Sequence, residues 1–201
     1  MKADVILVPG LWMPGAAMGL LAARLMRAGY RTHVFTYSGR RPFDANVERL
    51  AQFSKNRSSH FIGHSLGGVL TLATLTRHPE VPVASALLLG APVRGCLAGR
   101  RLGRYHAGRW MMGGCGPLWE EREARWRRRE PLGVVAGTVP LGLGRAFGRL
   151  PGANDGVVCV SETMVEGATA RTLLPLGHSV LIVSGQVGRL VERFLESARF
   201  A

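Results

Sequence analysis

Gly63-His64-Ser65-Leu66-Gly67 is the stretch on which the fold prediction depends. The run His60–Gly63 that leads into it has the pattern of a short strand, and Leu66–Arg77 after it carries helix formers. The sequence therefore predicts a strand–turn–helix unit with Ser65 at the turn, where the hydroxyl is exposed as a nucleophile. The motif alone is a weak signal in a chain with 27 glycines, so its setting between strand and helix decides.

Short apolar runs alternate with helical patterns along the rest of the chain. The predicted strands are Asp4–Val8, Arg31–Tyr37, His60–Gly63, Ser85–Leu89, Leu132–Ala136 and Thr169–Leu174. Helices are predicted over Gly15–Gly29, Phe43–Lys55, Leu66–Arg77 and Val183–Arg199. Strands that alternate with helices are joined by crossover connections, which favour parallel pairing. We expect an α/β fold, with residues 1–201 as one domain around a mainly parallel sheet of about six strands.

Two stretches interrupt this alternation. Gly95–Glu130 lies between two predicted strands, is rich in Gly, Arg and Trp, and has no strand pattern. Thr138–Ala153 is rich in Gly, Leu and Pro and leads into Asn154-Asp155-Gly156. Long insertions between sheet elements usually carry function or cover a site. We therefore expect residues 95–130 to form a short cap over the strand ends.

An acid and a base that could activate the serine follow it along the chain. A serine hydroxyl becomes a good nucleophile when a base takes its proton and an acid orients that base. At a strand–turn–helix site the acid and then the base come after the serine. Asp155 is the only aspartate after Ser65, and His178 is the only histidine after Asp155. We expect these three to form a catalytic triad. Glu162 and Glu166 are the alternative acids, and Asn-Asp-Gly is also a common turn sequence.

Two backbone N–H groups are the candidates for binding an oxyanion. One belongs to Leu66, at the start of the helix after Ser65, where the positive end of the helix dipole adds to the effect. The other belongs to Leu11, in the loop after the first strand. His64 is next to the serine in sequence, and we expect it to have a structural role.

Positive charge is concentrated in the predicted cap. The formal net charge of the chain is +13, and ten arginines against three glutamates give the segment from Arg94 to Arg129 a net charge of +7. Such a segment is either a solvated face or a surface that binds an anionic partner. An anionic lipid surface and an acidic acyl carrier protein are two partners of this kind.

The tryptophans are the candidate substrate contacts. Trp12 lies in the loop after the first strand, whereas Trp110, Trp119 and Trp126 lie in the cap. Trp119 and Trp126 are seven residues apart, so we expect them to share one face of a helix. These side chains either pack the cap onto the body of the protein or form a face that receives an acyl chain.

Taken together, the motifs resemble the α/β-hydrolase superfamily, especially its compact bacterial lipase- and esterase-like members. The resemblance covers nearly the whole chain and is carried by Pro9-Gly10-Leu11-Trp12, Gly-His-Ser-Leu-Gly-Gly at 63–68, Asn154-Asp155-Gly156-Val157-Val158 and His178. Family members commonly have His-Gly in the oxyanion loop, where the histidine braces the loop, and Pro9 stands in that place here. The resemblance implies a serine hydrolase that cleaves carboxylic esters of small molecules or lipids through an acyl-enzyme, with no metal and no other cofactor.

Other functions remain open on the sequence alone. A hydrolase of acyl-carrier-protein or coenzyme A (thio)esters would use the arginines of the cap. A basic nucleic-acid binder is suggested by Arg127-Arg128-Arg129, but no recognition motif accompanies these residues, so we expect no nucleic acid. A catalytically silent interaction protein would have no need of a serine, an aspartate and a histidine in this order.

Composition indicates a folded protein in a reducing compartment. Hydrophobic residues make up 47% of the chain and charged residues 19%, which excludes a disordered chain. The N-terminal apolar stretch, Val5–Val8, is too short for a secretory signal, and no run is long enough to span a membrane. Cys96, Cys115 and Cys159 have no metal-like spacing, so we expect free thiols in the cytoplasm.

Overall fold

Six parallel strands form one sheet at the centre of the fold, in a computed structural model that describes residues 2–142 and 148–201. They are β1 (Asp4–Val8), β2 (Thr32–Val34), β3 (Ser59–His64), β4 (Val83–Leu89), β5 (Leu132–Gly137) and β6 (Ala170–Leu174). Their order across the sheet is β2-β1-β3-β4-β5-β6, and every neighbouring pair is parallel. The predicted α/β fold is confirmed.

Helices cover both faces of the sheet. They are α1 (Gly19–Arg27), α2 (Phe43–Ser54), α3 (Leu66–Arg77), α4 (Leu97–Leu102), α5 (His106–Met112) and α6 (Gly185–Ser197). Alternate residues of β1 divide between two cores, because successive side chains of a strand point to opposite faces. Ile6 and Val8 pack with residues of α2 and α3, whereas Val5 and Leu7 pack with residues of α1 and α6. None of the described helices is both long and apolar enough to cross a bilayer.

The path of the chain reverses at β1. From β1 the chain passes to β2 on one side of the sheet and then crosses to β3 on the other side. In open α/β sheets, ligands bind at such a reversal, outside the carboxyl ends of the strands. Val8 pairs with Gly63 at this end of the ladder, so the loop that follows β1 lies beside the turn at Ser65.

The ends of several elements differ from the prediction. Strand β2 covers only Thr32–Val34, since it lies at the edge of the sheet and pairs with β1 alone. Helix α6 begins at Gly185 because the side chain of Ser184 accepts hydrogen bonds from the N–H groups of Gln186 and Val187. The residues before it, His178–Ile182, form a separate 3-10 helix.

The predicted cap segment contains α4, α5 and the 3-10 helix Gly113–Trp119. The expectation that Trp119 and Trp126 share one helix face is wrong. The 3-10 helix ends at Trp119, and no helix follows before Arg125, which forms an isolated β-bridge with Glu166. Of the other interrupting stretch, Thr138–Ala153, residues 143–147 lie outside the described part of the chain.

Candidate active site

Ser65 occupies a strained turn between β3 and α3. Its φ of +52° and ψ of −125° lie in a region that residues with a side chain rarely adopt. The turn is possible because the glycines beside it allow close backbone contact. A Cβ at Gly63 would meet the backbone of Gly68, and a Cβ at Gly67 would meet the carbonyl oxygen of Val8. The turn presents the partly exposed serine to the space outside the sheet.

The two N–H groups predicted to bind an oxyanion have no hydrogen-bond partner among the described residues. Leu66 is the first residue of α3, so its N–H cannot be satisfied within the helix. The N–H of Leu11 likewise has no hydrogen-bond partner among the described residues. A Cβ built on Gly10 would lie 3.1 Å from Ser65 Cβ, which shows how closely the loop approaches the serine. Two donors without a partner therefore belong to the residue after Ser65 and to the loop that packs against it.

The loop after β1 is braced by Tyr37, which sequence reasoning missed. The Tyr37 hydroxyl donates a hydrogen bond of 3.1 Å to the carbonyl oxygen of Pro9. Burial raises the pKa of this phenol, which therefore remains a donor. Pro9 has no side-chain donor or acceptor, unlike the histidine that is common among family members. Tyr37, which follows β2, holds the same segment through its hydroxyl. At the next corner of the loop, Trp12 has a φ of +61°.

Asp155 and His178 are joined by a hydrogen bond. His178 Nδ1 lies 2.7 Å from Asp155 Oδ2, and both side chains are buried. The other carboxylate oxygen of Asp155 accepts the backbone N–H groups of Val157 at 3.0 Å and Val158 at 2.7 Å. The backbone N–H of His178 donates to the Asp155 carbonyl at 2.9 Å. The carboxylate is thus fixed by its own loop while it orients the imidazole.

The Asn-Asp-Gly sequence also forms the turn that its composition suggested. Asn154 Oδ1 accepts the N–H of Gly156, and Asn154 Nδ2 donates to the carbonyl of Gly152. Gly156 has a φ of +90°, and a Cβ there would meet the backbone of Leu141. The turn residues shape the loop, and Asp155 between them faces His178.

The alternative acids lie elsewhere. Glu162 accepts the backbone N–H groups of Leu97 at 2.6 Å and Cys159 at 2.7 Å, so both of its oxygens are used to fix loops. Glu166 is exposed and forms an ion pair with Arg125. Of the three acids named from the sequence, Asp155 alone contacts His178.

His64 lies beneath His178 and supports it. Its Nε2 is 3.1 Å from the His178 carbonyl oxygen, and the two ring centroids are 4.7 Å apart. Burial, with a smaller contribution from His178, lowers the pKa of His64 to about 3. A neutral imidazole that donates from Nε2 carries its lone pair at Nδ1, and that buried atom has no partner among the described residues.

A cavity of about 320 Å³ is lined by both Ser65 and His178. A neighbouring cavity of about 400 Å³ is lined by neither of them. The cap side of the smaller cavity is formed by Cys96, Ala98, Gly99, Leu102, Met112 and Trp119, and its body side includes Met13, Pro92, Val157 and Val158. No Asp, Glu, Lys or Arg is among its described lining residues. In the described structure no hydrogen bond joins the Ser65 hydroxyl to His178, although catalytic hydrogen bonds often tighten only when substrate binds.

The four candidate tryptophans do not share a single environment. Trp12 and Trp119 line the cavity, and the ring of Trp119 packs against Gly99, where a Cβ would collide with it. Trp110 is outside the cavity and 64% exposed. The prediction that Trp126 contacts the substrate is wrong, because Trp126 is buried in the core and its indole N–H donates to the Glu130 carbonyl.

Much of the positive charge of the cap is used within the protein and lies away from the cavity. Arg128 donates to the carbonyl oxygens of Leu75, His78 and Val81, and so ties the end of α3 to the chain that leads into β4. Arg122 donates to the Val93 carbonyl. Arginine side chains of the cap therefore act in part as structural ties between loops, a role that composition alone does not reveal.

The thiols of the described region are buried, and its metal-ligating side chains form no cluster of three or more. Cys96, Cys115 and Cys159 are free and buried. Burial raises the pKa of Cys96 to about 12 and those of the other two to about 11, so the weakly nucleophilic protonated thiol persists. Among residues 2–142 and 148–201, no cluster of three or more metal-ligating side chains is found.

The sequence matches one family of known proteins over most of its length. A model described as "Alpha/beta hydrolase family" matches residues 5–194. The chain belongs to the alpha/beta hydrolase family. Among curated proteins, none matches it in sequence.

Several solved structures share the fold of this alpha/beta hydrolase. A pyrethroid hydrolase from Sphingobium faniae superposes with a TM-score of 0.65 at 16% identity, and the match covers 98% of each chain. A pyrethroid hydrolase described in complex with BIF gives 0.69 at 14% identity, covering 98% of this chain and 99% of that chain. An extracellular alpha/beta-hydrolase from a Paenibacillus species gives 0.61 at 12% identity, with 98% of each chain covered. At such identities the likeness shows the fold alone.

Sequence reasoning missed most of the cavity wall of this alpha/beta hydrolase. Ala98, Gly99 and Leu102 belong to α4, a helix of only six residues in which two arginines hide the apolar pattern. The small residues at 98 and 99 were the available signal, because a short helix needs small side chains where an indole packs against it.

Proposed function

We propose that this alpha/beta hydrolase cleaves carboxylic esters through a triad of Ser65, His178 and Asp155. The observation that supports this most strongly is the 2.7 Å hydrogen bond between Asp155 and His178 at a cavity that Ser65 also lines. The strained turn at Ser65 adds weight, because such strain is retained where the surrounding structure and the function require it.

The chemistry follows from the positions of the polar atoms. With Nδ1–H donated to Asp155, His178 has its lone pair at Nε2, which takes the Ser65 proton as the serine oxygen bonds to the ester carbonyl carbon. The negative charge moves to the carbonyl oxygen, where the N–H groups of Leu11 and Leu66 stabilise it. His178 then protonates the departing alcohol as the ester C–O bond breaks. Water, deprotonated by the same histidine, releases the acid and restores the serine.

The cavity wall favours an ester with an uncharged, apolar acyl group. Its volume of about 320 Å³ is near the lower end of ordinary ligand sites, and its described walls contain no Asp, Glu, Lys or Arg. A buried carboxylate or phosphate would lose its hydration there without a cationic partner. An acyl-carrier-protein or coenzyme A ester would therefore have to leave its anionic part outside the cavity, so a simple carboxylic ester is the preferred substrate class.

Labelling with a fluorophosphonate tests the nucleophile. The wild-type protein should form a covalent adduct at Ser65, and Ser65→Ala should form none, whereas Ser161→Ala, which changes an exposed serine, should label normally. Absence of an adduct on folded wild-type protein would overturn the proposal and favour a silent interaction protein or a nucleic-acid binder. A series of p-nitrophenyl esters of increasing chain length would then define the acyl group, and we expect hydrolysis to fall off once the chain exceeds the cavity.

A further inference from the structure

A group of large apolar side chains is exposed near the candidate active site. Trp12 is 55% exposed, Trp110 64% and Met111 46%, and Tyr105 at the start of α5 is 62% exposed. Tyr105, Trp110 and Met111 belong to one short stretch of the chain, and Trp12 is joined to that stretch because its indole N–H donates to the Met111 carbonyl at 2.9 Å. We call these four residues the aromatic rim. Apolar groups that cluster on a surface usually mark a site of interaction.

One residue of the aromatic rim, Trp12, also lines the cavity that contains Ser65. A second, open cavity of about 400 Å³ is lined by Trp12, Trp110 and Met111, and it shares the loop of residues 10–13 with the Ser65 cavity. Whatever covers Trp110 and Met111 therefore lies against the loop that also borders the Ser65 cavity.

Positive charge accompanies the aromatic rim. The guanidinium of Arg40 lies 4.6 Å from the centre of the Trp110 ring, in a cation–π contact. Arg104, next to Tyr105, is also exposed. Within the described residues, neither arginine forms an ion pair with a carboxylate. This differs from Arg100, Arg125 and Arg128, whose charges are balanced by glutamates.

We propose that the aromatic rim, together with Arg40 and Arg104, docks the protein on an anionic lipid surface. Tryptophan and tyrosine, each with an apolar body and a polar tip, suit the boundary between headgroups and acyl chains. Arginines near such a surface are attracted by its negative potential. The exposed side chains are large and mainly apolar, which suits insertion into a lipid boundary better than contact with the charged surface of an acidic protein. The inference goes beyond the proposed function and does not require Ser65 to act.

Vesicle binding tests the docking surface without any chemistry. Ser65→Ala protein, sedimented with vesicles of phosphatidylcholine that contain about a third phosphatidylglycerol, should bind and should be released by salt. Vesicles of phosphatidylcholine alone should bind much less. In this background, Trp110→Ala with Met111→Ala should weaken binding at least about tenfold, because both apolar side chains are lost from the interface. Met26→Ala with Met164→Ala, two exposed methionines outside the aromatic rim, should leave binding unchanged.

The charge on the docking surface has its own matched control. Arg40→Gln with Arg104→Gln should weaken binding to anionic vesicles. Arg127→Gln with Arg129→Gln removes the same charge just before the start of β5, four strands across the sheet from β2, and should not weaken it. Equal losses from both pairs would show that net charge alone attracts the protein and would overturn the proposal. So would an absence of vesicle binding, or binding of a purified acidic acyl carrier protein in preference to vesicles.

Because binding is measured in Ser65→Ala, a failed fluorophosphonate reaction and a failed vesicle experiment remain distinguishable. If the protein reacts with the fluorophosphonate but does not bind vesicles, the proposed function is supported and the docking surface is overturned. A protein that binds vesicles but does not label keeps the surface and loses the hydrolase.

Discussion

Asp155 is oriented by its own loop before any substrate arrives. Two backbone N–H groups fix one carboxylate oxygen, and the imidazole of His178 meets the other. This arrangement separates two effects that a substitution usually mixes, namely the shape of the loop and the state of the histidine. The backbone donors need only an acceptor, whereas the histidine needs an acceptor at Nδ1 in order to present its lone pair at Nε2.

Asp155→Asn is therefore expected to fold normally and to lose activity. The amide oxygen can keep one set of contacts, but the amide N–H₂ group favours the wrong tautomer of His178. The proposed triad predicts a fall in kcat of about 10³- to 10⁴-fold on a p-nitrophenyl ester. The far-UV circular dichroism and the unfolding midpoint serve as controls. A loss of less than tenfold would contradict the role of Asp155 as the acid.

His64 should make the stability of the protein depend on pH. Its folded-state pKa of about 3 is below the ordinary value of 6.5, so the unfolded chain binds the proton more tightly. The associated stability is complete above about pH 6.5 and is lost as the pH falls toward 3, with a slope of up to about 1.4 kcal/mol per pH unit. Burial lowers the pKa of His60 as well, and it contributes in the same direction.

The comparison of wild type with His64→Gln isolates this contribution. Glutamine keeps an N–H donor for the His178 carbonyl but does not titrate, and His60 is present in both proteins. Urea unfolding between pH 6.5 and pH 5, in the window set by the histidine values above, should show a shallower pH dependence for the variant. If the free energy of unfolding changed with pH equally in wild type and in the variant, the assignment of a buried neutral histidine at position 64 would be contradicted.

At the scale of elements, the contact between α3 and the end of β1 controls the site. A Cβ on Gly67 would meet the Val8 carbonyl oxygen, and a Cβ on Gly68 would meet the Ala91 side chain. Helix α3 can approach the sheet closely only because both positions lack a side chain. The close approach brings the first turn of the helix, with its free N–H groups, to the loop that carries Leu11.

Gly67→Ala is expected to lower the free energy of unfolding by about 1–3 kcal/mol, since backbone atoms must move to accept the methyl group. Gly19→Ala is the matched control, because Gly19 also lies in the first turn of a helix but a Cβ there has no neighbour within 4 Å. The control should leave stability unchanged or raise it by up to about 1 kcal/mol. Chemical denaturation measures both, and equal effects would contradict the packing argument.

Across the whole molecule, the sequence predicted the sheet better than it predicted the cap. Strands buried on both faces and helices such as α6 have strong apolar patterns, and these depend on short-range chemistry. The chain order also identified Ser65 and His178, which line one cavity, and Asp155, which is hydrogen-bonded to His178, and their catalytic roles stay predictions. The cap was harder, because α4 and α5 are short and the positions of Trp119 and Trp126 depend on long-range contacts.

The three buried thiols give this molecule a set of internal reporters. Cys96 lies in the cavity wall, Cys115 donates toward the Gly39 carbonyl from the cap, and Cys159 follows the loop of Asp155. A thiol reagent reaches each sulfur only when the surrounding structure opens, and each sulfur reports on a different region. The rates at which the three cysteines are alkylated in the native protein would therefore rank the cap, the cavity wall and the acid loop by the free energy of their opening, without any introduced probe.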